Sequence, residues 1–220
     1  MPTVMEDCVG AIQHRFSPYS FNGGTLLAFA GSDFALLAAD SRLSEGFGIH
    51  NRNAARLHKL SESCVLACCG FQGDCLSLLR ILEARVKMYK QTHQRPMTCP
   101  AIASLLSQLL YSHRFFPYYC YCLIAGLDSQ GQGAVFSFDP VGSYERVPFS
   151  SLGSASAQLQ PLLDSQLSSG VQLSASQAEQ LARDVFVSAA ERDVYTGDSV
   201  QVCLVSSVEV HRDSHSLRKD

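Results

Sequence analysis

The stretch FNGGTLLAFAGSDFALLAADSR, residues 21–42, contains two short apolar runs on either side of Gly31-Ser32. Glycine in the first central position suits a two-residue hairpin turn, so the runs at 25–30 and 33–39 are predicted to be paired β-strands. Neither run alternates polar with apolar residues, which indicates that both faces of each strand are covered. The stretch therefore predicts inner strands of a protein built in layers.

The segments after this hairpin predict a third buried strand and then a helix. The run CVLACCG at 64–70 is continuously apolar. Over residues 73–90, apolar side chains recur at helical spacing, Asp74 is a candidate N-cap, and Glu83 and Lys87 form an i,i+4 pair on the exposed side. These features predict a helix that packs on a sheet through one face.

The remainder of the chain repeats this order. A second helix is predicted through Leu110, with Thr98 as its cap and Pro100 in its first turn. Two antiparallel sheets covered by two helix pairs would bury every apolar face, so the expected fold class is α+β, a four-layer α-β-β-α sandwich. The further elements that support it are strands at 118–128, 134–139, 144–149 and 199–207, helices at 154–167 and 176–192, and a polar tail at 208–220.

The composition disfavours several classes of protein. With 220 residues, 46% of them hydrophobic and 17% charged, the chain suits one compact domain. A net charge of −3 with scattered basic residues disfavours nucleic-acid binding. The N-terminus lacks the features of a signal peptide, and no run approaches the ~20 apolar residues of a membrane span. We therefore expect a soluble intracellular protein.

The nine cysteines are predicted to be structural. Cys68 and Cys69 are adjacent, and Cys120 and Cys122 form a C-x-C, so neither pair has the C-x2-C spacing of a zinc site. Most of the cysteines lie in apolar, strand-like runs, where free cysteine behaves as a small buried hydrophobe. Metal and redox roles are the less favoured alternatives.

Several runs of sequence carry a resemblance to a known family. LLAADSRLSEG at 36–46, with GGT upstream and CCG at 68–70, resembles the β-type subunits of the 20S proteasome core particle. The resemblance covers residues 15–220 and implies the N-terminal nucleophile hydrolase fold. It also implies that residues 1–14 are a propeptide or disordered lead-in and that residues 15–220 are the β-subunit domain. The longer runs that make the resemblance specific are RFSPYSFNGGT (15–25), SRLSEGFGIH (41–50), LYSHRFFPYY (110–119), FDPVGSY (138–144), ERDVYTGD (191–198) and SLRKD (216–220).

The same resemblance implies partners and a location. Members assemble with other α and β subunits into a 28-subunit core particle, in which the β rings have seven members. Assembly chaperones and regulatory caps are expected to meet the chain through that complex. No cofactor, metal, nucleic acid or membrane is expected, and the expected location is the cytoplasm and the nucleus.

The resemblance also locates the position of the catalytic nucleophile. Active members use the hydroxyl of an N-terminal threonine, with its own α-amine as the base. That threonine lies sixteen residues before the aspartate of the D-[ST]-R triplet, here Asp40-Ser41-Arg42, and the position falls on Gly24. Thr25 comes one residue late, and successive side chains of a strand point to opposite faces. The family's lysine position is occupied by Arg56, which keeps the charge but cannot reproduce proton exchange. The sequence therefore predicts a vestigial site with no catalytic residue.

Other positions of the family's site keep part of their pattern. Ser154 matches the site serine, although Ala155 replaces the usual glycine. Asp193 matches the acidic residue of the C-terminal half, with Thr196 in place of a serine. The resemblance thus implies that scaffold positions of the site survive around a missing nucleophile.

Two further features of the site are expected, the first from the resemblance and the second from the residues themselves. The oxyanion N–H of the family falls on Gln72, or on Gly73 after a local shift. Asp40 and Arg42 are expected to form an ion pair at the end of their strand. The role expected for this ion pair is structural.

Two catalytic alternatives remain open. Self-cleavage at Gly24–Thr25 would expose Thr25 as the nucleophile of a threonine-type hydrolase, which the register and Arg56 oppose. A Ser/His/Asp hydrolase is disfavoured because no G-x-S-x-G elbow marks a serine. The favoured prediction is a non-catalytic structural subunit of the 20S β ring, supporting assembly of the particle that degrades ubiquitinated and unfolded proteins.

Contacts with neighbouring subunits are expected in several segments. The resemblance implies that the mature chain begins near Arg15, and the aromatic segment that follows is predicted to pack on neighbours. Contacts that the family makes through the loop at 165–176 are not expected here, because the loop is shorter and rich in serine. The candidate contact segments are residues 15–23, the helix at 74–90, the RFFPYY corner at 114–119 and the tail at 208–220.

Overall fold

The computed structural model describes residues 19–167 and 173–219. The expected lead-in at 1–14, the start of the mature chain near Arg15 and part of the 165–176 loop lie outside the described residues. Within the described residues, no helix is both long and apolar enough to cross a membrane.

Twelve strands and four helices make up the described chain. They are β1 (Thr25–Ala30), β2 (Phe34–Asp40), β3 (Leu43–Glu45), β4 (Gly48–Asn51), β5 (Leu57–Ser61), β6 (Cys64–Gly70), α1 (Gln72–His93), α2 (Cys99–Ser112), β7 (Cys120–Leu127), β8 (Gly133–Phe138), β9 (Tyr144–Val147), β10 (Phe149–Gly153), α3 (Ser156–Leu167), α4 (Ala175–Ala190), β11 (Ser199–Ser206) and β12 (Val210–Ser216).

These elements form the predicted four layers. One five-stranded sheet has the order β10-β1-β2-β11-β12, the other has the order β5-β6-β7-β8-β9, and β3 and β4 form a separate small ribbon. Helices α1 and α2 pack on the second sheet, and α3 and α4 pack on the first. A third apolar cluster fills the space between the two sheets. The expected α-β-β-α sandwich is confirmed.

The opening hairpin sits at the centre of the first sheet. β1 and β2 are antiparallel with Leu26 opposite Ala39, and Gly31 N–H donates to Phe34 O at 2.8 Å across the turn. Both strands are buried almost throughout, as their unbroken apolar runs predict. On its other side β1 pairs with β10, which places Thr25 opposite Gly153. This pairing brings the ends of three strands together at the candidate site.

Three details of the sequence prediction need correction. Asp74 is not the cap of α1, because Phe71 is the N-cap and the Asp74 carboxylate instead accepts the Tyr119 N–H at 2.7 Å. The predicted strand at 144–149 is two strands in different sheets, β9 and β10. Pro148 lies between them, with no N–H of its own, and its carbonyl accepts the Ala30 N–H at 2.7 Å.

The third correction concerns the tail. Residues 210–216 form β12, an edge strand paired along its length with β11. The prediction of helix α2 with Thr98 as its N-cap residue is confirmed, and so is the Glu83–Lys87 pair at 3.9 Å. All cysteines of the described chain are buried and free, which confirms their predicted burial.

Candidate functional site

The hydroxyl of Thr25 belongs to a buried network of hydroxyl groups and one carboxylate. Its Oγ1 lies 2.7 Å from Thr196 Oγ1 and 3.2 Å from Ser154 Oγ, and it accepts the Ala155 N–H at 3.2 Å. Ser154 and Thr196 each donate to Asp193 Oδ2 at 2.6 Å. The structure therefore brings together four positions that the sequence assigned to the site, with Thr25 as their fifth member.

Gly24 faces a different group. Its φ is +100°, a conformation that side chains rarely adopt, and a Cβ at this position would overlap the guanidinium of Arg56. The Gly24 carbonyl accepts the Ser154 N–H at 3.0 Å. Position 24, where the resemblance places the nucleophile of active members, therefore lacks a side chain, and the space for one is occupied by Arg56.

Arg56 and Asp40 form a buried ion pair beside Gly24. Arg56 Nε lies 3.3 Å from Asp40 Oδ1, and the two side chains are 1% and 0% exposed. A second guanidinium nitrogen donates to the Arg42 carbonyl, and Nη1 has no hydrogen-bond partner among the described residues. The side-chain position of residue 24 is thus bounded by a fixed cation.

Burial dominates the ionisation of Asp40. It raises the pKa of Asp40 to about 6, although the Arg56 charge and the N–H groups of Thr25 and Arg42 favour the ionised form. The Thr25 N–H donates to Asp40 Oδ1 at 2.9 Å. In the intact chain this is a peptide N–H, which cannot act as the base that the family's α-amine provides.

Asn22 occupies the N-terminus of α1. Its Oδ1 accepts the Gln72 N–H at 2.9 Å, and its Nδ2 donates to Ser44 O at 3.2 Å. Helix N-termini attract anions and carbonyl oxygens because their first N–H groups have no partner within the helix. The expected oxyanion donor Gln72 is therefore already bonded to the chain's own amide, and the alternative, Gly73, lies in the first turn of α1.

The residues around Asn22 pack closely against the loop that carries Asp193 and Thr196. A Cβ on Gly23 would lie 3.0 Å from Tyr195 Cβ, and the rings of Phe21 and Tyr195 meet edge to face at 5.2 Å. Gly23 and Asn22 are buried. The chain ahead of β1 thus covers one side of the site.

The prediction that Asp40 and Arg42 form an ion pair is wrong. Arg42 Nε pairs instead with Asp198 Oδ2 at 2.9 Å, and its Nη1 donates to Val194 O at 2.8 Å. Arg52 also reaches Asp198, at 2.5 Å. The long side chain of Arg42 can reach the 193–198 loop, whereas Asp40 is taken by Arg56.

Sequence reasoning missed Asn22 and Asp198. Asp198 has a φ of +67° and is tied to the C-terminal segment, because its N–H donates to Arg218 O and the Leu217 N–H donates to its carbonyl, both at 3.0 Å. The only signal of Asp198 in the sequence is the run ERDVYTGD, which by itself assigns no role to its last residue. Asn22 stood beside two glycines, and its long-range partners had no signature in the sequence.

The groups in contact with the Thr25 hydroxyl are uncharged. Thr25 Oγ1 contacts two other hydroxyl groups and a backbone N–H, and the carboxylate of Asp193 reaches it only through Ser154 or Thr196. Among the described residues there is no cluster of histidine, cysteine and acidic side chains able to hold a metal ion.

The four-layer sandwich, with the candidate site at the ends of its central strands, is the fold of the N-terminal nucleophile hydrolases. The family model described as "Proteasome subunit" matches residues 20–205. The chain belongs to the proteasome subunit family, as the sequence predicted.

Similar proteins carry β-subunit names. "Proteasome subunit beta type-1" of Danio rerio is 55% identical over 96% of this chain and 92% of its own length. The protein of the same name in Petunia hybrida is 43% identical over 94% of this chain and 98% of its own length. "Probable proteasome subunit beta type-6" of Schizosaccharomyces pombe is 38% identical over 94% of this chain and 99% of its own length.

Proposed function

We propose that the chain is a non-catalytic structural subunit of the β ring of the 20S proteasome core particle. Family membership and similarity to β subunits along nearly the whole chain support a place in that particle. The same similarity supports partnership with other α and β subunits in a 28-subunit core. Chaperones, regulatory caps and a cytoplasmic and nuclear location follow from the particle rather than from any residue of this chain.

The observation that carries the non-catalytic role is the arrangement of Gly24 and Arg56. A threonine placed at position 24 would have to adopt a disfavoured positive φ and displace a buried guanidinium that is paired with Asp40. The neighbouring Thr25 has its hydroxyl in the Ser154–Thr196 network instead. The catalytic position therefore lacks both the hydroxyl and the space for it.

The segment ahead of β1 supports the same conclusion. Asn22 occupies the N–H group at the start of α1, and Gly23 packs against Tyr195. A substrate carbonyl that used this helix terminus would have to compete with a buried amide of the chain itself. The segment thus fills part of the site that a peptide substrate would need.

An exposed aromatic corner is the proposed contact with a neighbouring subunit. Phe115 is 96% exposed and Phe116 is 71% exposed, and Phe116 meets the ring of Tyr19 at a centroid distance of 6.0 Å. Exposed apolar patches of this kind are typical of protein interfaces. The corner lies where α2 ends and β7 begins, so its loss should affect assembly without altering the inner layers.

The test is made on the full-length chain incorporated in purified particles. We expect Thr25→Ala particles to form in normal yield and to keep the peptidase activity of the wild type, in which other subunits act as the threonine-type endopeptidase. Phe115→Ser combined with Phe116→Ser should lower particle yield while leaving the activity per particle unchanged. A large loss of one peptidase specificity in normally assembled Thr25→Ala particles would overturn the proposal.

One observation favours the alternative, a hydrolase activated by cleavage at Gly24–Thr25. The Gly24 carbonyl accepts an N–H bond from Ser154, next to the hydroxyl network that holds Thr25. Mass spectrometry of the N-terminus of the incorporated chain separates the two functions. A start at Thr25 supports the hydrolase, and a start before Asn22 supports the structural subunit.

A further inference from the structure

We propose that Cys68 and Cys122 form a dithiol that a peroxide converts reversibly into a disulfide between β6 and β7. The two thiols lie outside the candidate site, in the apolar layer between the second sheet and helices α1 and α2. Both are buried and free, and their Sγ atoms are 3.5 Å apart. The inference does not depend on the proposed function of the chain.

The strand register places the two cysteines directly opposite each other. In the antiparallel pairing of β6 with β7, residue 68 faces residue 122. The Cys68 N–H donates to Arg56 O at 3.2 Å, on the opposite side from β7, so the pair is of the type that shares no backbone hydrogen bonds. Such pairs have Cα atoms about 4.5 Å apart, which lies within the range that a disulfide spans.

The other cysteines of this layer, Cys64, Cys75, Cys99 and Cys120, do not face a cysteine across β6 and β7. Cys120 lies opposite Gly70, and Cys69 lies opposite Tyr121, so Cys68 and Cys122 are the one pair of facing cysteines in these two fully described strands. Cys69 belongs to the cluster between the sheets, on the other face of β6. It is therefore a neighbour in sequence that cannot share the reaction, and it serves as a matched control.

The chemistry balances with one equivalent of hydrogen peroxide. One thiol, as its thiolate, attacks a peroxide oxygen, which breaks the O–O bond, releases one water after protonation and leaves a sulfenic acid. The second sulfur attacks the sulfenic sulfur, forms the S–S bond and releases a second water. Two thiols are oxidised, one peroxide is reduced, and a dithiol reductant reverses the change.

The entry of peroxide to the buried thiols limits the rate of this reaction. The pair lies near the start of α1, where Cys75, in the first helical turns, packs in the same cluster. Helix ends open locally more readily than the centre of a domain, and a peroxide is only slightly larger than water. Oxidation should therefore be slow, and it should precede global unfolding.

The first test is peptide mapping of the wild-type chain after treatment with hydrogen peroxide and alkylation under non-reducing conditions. Trypsin should release residues 60–80 joined to residues 115–146, with a mass lower by the two hydrogen atoms lost. Fragmentation should assign the link to Cys68 and Cys122, and dithiothreitol should separate the peptides. A link through Cys75 or Cys120 instead, or oxidation to sulfinic acid with no link, would refute the proposal.

Variants give the second test. Cys68→Ala and Cys122→Ala should each abolish the linked peptide, whereas Cys69→Ala should leave its yield unchanged. The oxidised wild type should unfold at a temperature roughly 5 °C or more above the reduced form, because the bond closes a long loop in the unfolded chain. An equal rise in the Tm of Cys122→Ala after the same treatment would contradict the assignment.

Discussion

Two buried polar networks meet at the first residues of β1, and they differ in kind. On one side, Asp40 and Arg56 are fully buried charges that hold each other beside Gly24. On the other side, Thr25, Ser154 and Thr196 share hydroxyl hydrogen bonds that end on Asp193. Removing one partner of a buried ion pair leaves an uncompensated charge, whereas removing one hydroxyl leaves weaker, neutral contacts.

Under the non-catalytic function proposed above, both networks keep a structural role. In the charged network, Arg56 places a cation next to Asp40 and fills the space that a side chain at position 24 would need. In the hydroxyl network, a threonine from the neighbouring position joins the family's serine and aspartate positions. The hydroxyl network ties β1 to the 193–198 loop, and the ion pair ties the end of β2 to Arg56, next to β5.

The largest effect should come from breaking the charged network. We expect Arg56→Met to lower the free energy of unfolding by roughly 3–5 kcal/mol near pH 7.5, because it leaves the carboxylate of Asp40 buried without its partner. The loss should be smaller near pH 5, where Asp40 can take up a proton. Denaturant unfolding of the full-length chain at both pH values measures the change.

A surface pair of the same chemistry serves as the control. Arg146 Nη2 lies 3.0 Å from Asp128 Oδ2, and the arginine is 48% exposed. Arg146→Met should change stability little, because water screens and solvates this pair. If Arg56→Met matched this control at pH 7.5, the buried pair would not be needed to hold the strand ends.

A smaller effect should appear in the pH dependence of the free energy of unfolding. Burial raises the pKa of Asp40 to about 6 from its ordinary value of 3.8. Between these values the folded chain binds a proton that the unfolded chain does not, so the contribution of Asp40 to stability is present at low pH and is lost as pH rises through about 6. The window from pH 4 to pH 6 should therefore show a fall of roughly 2–3 kcal/mol from this group.

Asp40→Asn isolates that contribution. The substitution leaves Arg56 without its anion at every pH, so the informative quantity is the slope of unfolding free energy against pH and not its absolute value. The slope of the variant between pH 4 and pH 6 should differ from that of the wild type by the contribution of Asp40. Asp33→Asn, at an exposed position, should keep the slope of the wild type.

Much of the fold could be predicted from local pattern. The hairpin of β1 and β2, the buried strand β6 and the stripes of α1 and α2 are visible in the sequence because apolar spacing and turn glycines act within a few residues. The division of 144–149 between two sheets and the pairing of β12 were missed. Both depend on distant partners, β1 for the first and β11 for the second, which periodicity does not reveal.

The candidate site, like the fold, could be predicted from the sequence only in part. Counting along the chain placed Gly24, Asp40 and Arg56 in one site, and the structure brings these three together. The partners of Arg42 and of Asn22 could not be counted, because Asp198 and Gln72 meet them through the packing of separate loops. Spacing therefore identified positions, and only the fold identified which side chains satisfy each other.

The smallest effect should come from the hydroxyl network. Thr25→Val keeps the shape of the side chain but removes its hydrogen bonds to Thr196 and Ser154, so we expect a loss of roughly 1–2 kcal/mol in unfolding free energy. Thr196→Val should lose a similar amount, and the double variant should lose less than the sum, because the two hydroxyl groups bond to each other at 2.7 Å. Denaturant unfolding of the three variants gives the coupling energy. Strict additivity of the two losses would mean that the hydroxyl groups of Thr25 and Thr196 do not stabilise each other. Thr25 would then be stabilised mainly by packing in β1.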